Sequence, residues 1–164
     1  MTVRLLNLPS LWTTHEAMFP EPALVLTAAI DCAHNSMLIR YTDNHLAQSL
    51  ASLFMELMSS GGKKSGITDN LDKPKAELKK LEYLLTTLPN FRQRSIQTGD
   101  ICLARVIYYA IELAGWLGKQ QIIDNLPTVF GWWQWINEHR AVSDTILEID
   151  RTHKTVIKRL QGEG

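Results

Sequence analysis

Apolar side chains recur at three- and four-residue spacing along most of this chain, and helices are the elements that this period predicts. The stretch from Ile101 to Ala114 is the extreme case. Ile101, Leu103, Ala104, Val106, Ile107, Ala110, Ile111, Leu113 and Ala114 cover most of the helical circumference, and only Arg105 and Glu112 carry charge. A helix apolar nearly all round packs on several sides inside a bundle. This one is too short for a membrane span and is interrupted by its two charges. Its start carries a further signal. With Gln97 as N-cap, Asp100 stands at N3, where its carboxylate can accept from the N-cap N–H, and Ile96 and Ile101 occupy the N′ and N4 positions of a hydrophobic staple. Ser95 and Thr98 are alternative caps, since Gln is not a preferred one.

The same period predicts the other elements. A helix opened by Pro22 runs to about Tyr41, with Ala23, Leu24, Leu26, Ala29, Ile30, Ala33, Met37, Leu38 and Tyr41 on a broad apolar face and Thr27, Asp31, His34, Asn35 and Thr42 opposite. Leu46, Leu50, Leu53, Phe54 and Leu57 predict helix from about Asp43 to Met58, either continuing the first with a bend or separate. From about Asp69 to Leu88 the pattern reads as a helix capped by Asp69 or Asp72, with Pro74 in its first turn and Lys73, Lys75, Glu77, Lys79, Lys80 and Glu82 on a solvated face. Pro127 opens a helix to about His139, bearing Trp132, Trp133 and Trp135. Trp132 and Trp133 lie about 100° apart around its axis, so one faces the core and the other is more exposed. Ala141 to Ile149 predicts a short helix, followed by an amphipathic tail to Leu160. No strand pattern appears. The expected fold is all-α, a bundle of six or seven helices in one domain over residues 23–161, after an irregular leader at 1–22 and with a flexible loop at 59–68.

Composition narrows the function classes. Lys plus Arg number 17, as do Asp plus Glu, so the formal charge is zero. Nucleic acid and anionic membranes demand a basic field, and neither is an expected partner. Zero net charge instead favours self-association. Cys32 and Cys102 lie in apolar helical patterns without metal-ligand neighbours and read as buried thiols in a reducing, cytoplasmic setting. The N-terminal run Leu5-Leu6-Asn7-Leu8-Pro9 is too broken for a signal peptide.

Catalytic chemistry is not legible. His15, His34, His45, His139 and His153 include no pair at i, i+4 on one helix, and HExxH, CxxC, GxSxG and phosphate-loop spacings are absent, so no metal site, no cofactor and no catalytic residue is expected. The candidate pocket or interface residues are His34, Asn35, Tyr41 and Tyr108. Structural capping is assigned to Gln97, Asp100, Ile96 and Ile101.

Three segments together resemble the C-terminal helical domain of glutathione S-transferases. Ile96-Gln-Thr-Gly-Asp100-Ile101-Cys102 resembles the Ser/Thr-x-Ala-Asp-Ile capping box of that family. Leu126-Pro127 through Trp132-Trp133 to Ala141-Val142 is similar to its Pro, Trp and Pro-Ala-Val pattern, and Met18-Phe-Pro-Glu-Pro22 to the link into its first helix. The resemblance covers about residues 18–150. Gln97 stands where the family has Ser or Thr, Gly99 where it has Ala, and Arg140 where it has Pro. The family's thioredoxin-like domain, with its glutathione site and its activating Ser, Tyr or Cys, has no counterpart here. The resemblance implies a helical domain without its own glutathione site, not an enzyme by itself, acting in hydrophobic ligand binding or in protein association as a homodimer or with a partner. Two alternatives stay open: an interaction module of the type attached to translation factors and aminoacyl-tRNA synthetases, and the C-terminal part of an active two-domain transferase. An unrelated helical bundle is the third class.

Overall fold

The computed structural model describes residues 28–59, 71–119 and 121–160. The expected leader, the helix opening at 23–27, the loop beyond Ser59 and the Asp69 cap lie outside them. The described residues are helical, with no strand. Helix α1 (Ala29–Tyr41) passes through a π-helical turn (Thr42–Leu46) straight into α2 (Ala47–Ser59). Then follow α3 (Asp72–Thr87), a 3-10 turn (Phe91–Gln93), α4 (Thr98–Trp116), α5 (Pro127–Glu138) and α6 (Arg140–Leu160). With α1 and α2 continuous, five helical rods are described, fewer than the six or seven expected. Part of the difference is at the C-terminus, where the short helix and the amphipathic tail are one helix of 21 residues.

Helix α4 is the centre. Leu103, Ala104, Val106, Ile107, Ala110, Leu113 and Ala114 are buried, and α1, α2, α5 and α6 all pack on it. Its C-terminus is a Schellman turn: Gly118 takes φ 77°, Lys119 N–H donates to Ala114 O at 2.7 Å and Gly118 N–H to Gly115 O at 3.0 Å. On α5, Trp132 is fully buried and Trp133 only partly, as their angular separation requires.

Two solvated-face assignments on α3 are corrected. Glu82 reaches the start of α5, where its carboxylate accepts from Thr128 N–H at 2.9 Å and Val129 N–H at 2.8 Å. It supplies the acceptor that the N-cap residue Leu126 lacks, in the field that the helix N-terminus offers an anion. Glu77 is turned toward α1, described below. Phe54, one of the apolar positions that predict α2, is 41% exposed, and both cysteines, expected as buried thiols, are only partly buried.

Candidate functional site

At the start of α4, four hydrogen bonds converge on one carboxylate. Asp100 is completely buried. Its Oδ2 accepts from Gln97 N–H at 2.9 Å and from Arg94 Nη1 at 2.6 Å, and its Oδ1 accepts from Arg94 Nη2 at 2.9 Å and Trp132 Nε1 at 3.0 Å. One carboxylate therefore ties the linker before α4, the first turn of α4 and the middle of α5. Gln97 is the N-cap, and the Asp100 N–H returns to its carbonyl at 3.0 Å. Ile96 packs on the core and Ile101 is half-buried.

Helix α1 meets this region with its polar side. Asn35 Oδ1 accepts from Gly99 N–H at 2.7 Å. The approach is so close that a Cβ on Gly99 would stand 2.9 Å from Asn35 Oδ1, 3.2 Å from its backbone oxygen and 3.3 Å from Leu38 Cβ. Glycine is thus required where the resembling family has alanine. Gly99→Ala is expected to lower stability by about 1–3 kcal/mol, the scale of overpacking, although Gly to Ala in a helix usually helps. Denaturant unfolding of the pair measures the sign.

The four candidate pocket residues do not share one cavity. His34 lines a small cavity between α1 and the linker before α4, and Asn35 is committed to Gly99. The Tyr41 hydroxyl donates to Glu77 O at 2.7 Å and Glu77 Oε2 at 2.9 Å, and its ring stacks on His45 at 5.4 Å. Burial, then the bond to Glu77, pushes the Tyr41 hydroxyl well above the usual phenol range, so it stays a donor. Tyr108 lies on the other side of α4, donating to Asp150 Oδ1 on α6 at 3.1 Å. Burial and the charges of Glu112 and Asp150 raise its hydroxyl in the same way.

Glu77 gives the α1–α3 contact a pH dependence. Its burial favours the neutral acid, but hydrogen bonds from Lys80 at 2.6 Å and from Tyr41 outweigh that and hold the carboxyl below its ordinary value. A depressed folded value contributes stability above the unfolded value of about 4.3, lost as pH falls through the folded one. Denaturant midpoints measured from about pH 6 to about pH 3 are expected to fall less steeply for Glu77→Gln than for the wild type.

The inward side of α1 and the turn after it is rotated relative to the sequence pattern: Leu38 stays inside, and Thr42, expected on the polar side, joins it. Inward positions are Leu38, Thr42 and Leu46, whereas Ala33 is exposed, Ile30 is 62% exposed and Met37 is 40% exposed. Asn35, Asp31 and His34, which the pattern placed on the solvated side, face the linker before α4 or its first turn. Apolar spacing alone missed this because Gly99 attracts the small polar Asn35 to the interface. Ala33, Ser36, Met37, Arg40, Tyr41, Asn44 and His45 line an open depression of about 500 Å³. The π-helical turn contributes Asn44 and His45, and such turns are frequent at functional sites. Among the described residues no three His, Cys, Asp or Glu side chains gather as metal ligands, and no helix is long and apolar enough to cross a membrane.

The chain matches no family model, no curated protein and no solved structure.

Proposed function

We propose that this chain is a glutathione S-transferase-like helical domain acting in protein association, with a homodimer as its simplest form and the outward face of α1 as the contact. The observation that carries the reading is the exposed stripe Ile30, Ala33 and Met37, with Ile30 at 62% and Met37 at 40% exposure. Large apolar side chains grouped on one face mark interfaces more often than scattered ones do. The zero formal charge removes net repulsion between copies. The acidic N3 residue at the start of the buried central helix and the Trp-bearing helix after it support the family likeness. A hydrophobic small molecule is the second reading, favoured by the size of the depression, which falls in the range of about 300–1,000 Å³ usual for ligand sites.

Light scattering over a dilution series tests the association. The expected result is a wild-type dimer and a monomeric Met37→Glu variant. A wild-type monomer at every concentration, with no binding of an apolar dye, would overturn it. The chain is expected to pass through glutathione resin, and retention would refute the absence of a glutathione site. Co-purification with translation components would favour the interaction-module alternative.

A further inference from the structure

We propose that α1 is bridged to the entrance of α4 by one internal water molecule, hydrogen-bonded to His34 Nδ1 and held among Asp31, Arg94 and Gln97. The site is the cavity between α1 and the linker before α4, lined by Asp31, His34, Leu38, Leu88, Arg94 and Gln97, with the exposed Pro89 at its edge. Its volume for water centres is about 10 Å³, close to the minimum that admits a single molecule. Anything larger is excluded, including an organic ligand.

The lining chemistry selects water over an apolar void. His34 Nδ1 is buried and has no hydrogen-bond partner among the described residues. A buried polar atom left in that state is destabilising, and such atoms are almost always satisfied by protein or by ordered water. Arg94 has donors to spare. A guanidinium carries five N–H groups. Three of the Arg94 bonds go to Ser95 O at 3.1 Å and to the two Asp100 oxygens at 2.6 and 2.9 Å. Asp31 supplies acceptors only, and the amide of Gln97, a residue 7% exposed, supplies both donors and acceptors. A water can therefore donate to Asp31 and to His34 Nδ1 while accepting from Arg94 or Gln97. That gives it about three bonds, the usual number for internal water.

Bound there, the water makes His34 and Asp31 part of the network that includes Asp100, through Arg94.

A crystal structure of the full chain that resolves ordered water is the direct test. One peak within about 2.7–3.2 Å of His34 Nδ1 and of at least two polar atoms of Asp31, Arg94 and Gln97 is the expected result. A dry cavity, or a peak that touches no nitrogen of His34, overturns the proposal. Long-lived waters counted by oxygen-17 relaxation dispersion give an independent readout: His34→Leu is expected to lose one, and His34→Gln, whose amide can reproduce the acceptor, to keep it. An unchanged count in a folded His34→Leu variant overturns the proposal. If that variant fails to fold, the wild-type density and the His34→Gln count decide it.

Discussion

Replacing Asp100 by alanine is expected to lower the unfolding free energy by about 3–5 kcal/mol, the cost of removing one partner from a buried ion pair. A lost helix cap alone would cost about 0.5–2 kcal/mol. The larger figure follows from what the substitution leaves behind. The Arg94 side chain is 15% exposed, so its guanidinium loses its counter-charge where little water can replace it. The indole N–H of Trp132, in a residue with 0% exposure, loses its acceptor at the same time. The Gln97 N–H loses its own acceptor as well. In a chain of 164 residues such a loss corresponds to a fall of about 6–20 °C in Tm. Calorimetry of the wild type and Asp100→Ala measures it, and a shift below about 3 °C would return Asp100 to the role of a simple cap.

The second large effect is expected at Trp132. It is the largest of the fully buried side chains, and Trp132→Ala is expected to cost about 3–5 kcal/mol through lost burial and the cavity left behind. Trp132→Phe keeps an aromatic ring but removes the donor to Asp100 together with part of the indole. The lost hydrogen bond alone is expected to cost about 1–3 kcal/mol. Chemical denaturation of both variants reads the two contributions. Trp135 is a useful control. It is also buried at 6% exposure, but it meets Arg94 only through its ring face, with the guanidinium 5.7 Å from the centroid. Trp135→Phe preserves an aromatic face and should cost less than Trp132→Phe.

The helices were legible in the sequence because their period and punctuation agree. Pro127 begins α5, Gly118 ends α4, and the acidic residue three places after Gln97 marks the start of the central helix. The apolar run of α4 correctly predicts a helix packed on several sides. Contacts that join distant positions were not legible. Glu82 and Thr128 are 46 residues apart, and nothing local distinguishes Glu82 from its solvated neighbours. The pair of hydrogen bonds from Arg94 to Asp100 was missed although the two are only six residues apart, because it depends on how the linker folds back. The facing of α1 was misread for a related reason. A spacing rule assigns the apolar side inward, whereas here the close approach at Gly99 brings Asn35 inward and leaves Ile30 and Met37 outside. That rotation of the face is the physical basis of the proposed association. The glycine that permits it was visible in the sequence only as a departure from the resembling family.

Among the potentially reactive side chains, Cys102 is muted by its setting. Burial, then the nearby Asp43 charge, pushes its thiol upward against the pull of Arg105. The interest of α4 is therefore structural, and it concentrates in one carboxylate.

The most direct test of that central claim is a double-mutant cycle between Arg94→Met and Asp100→Asn, read by denaturant unfolding. A buried, two-pronged ion pair predicts a coupling energy of about 1.5–3 kcal/mol, with the double variant more stable than the sum of the single losses allows. Losses that add to within about 0.5 kcal/mol would contradict it.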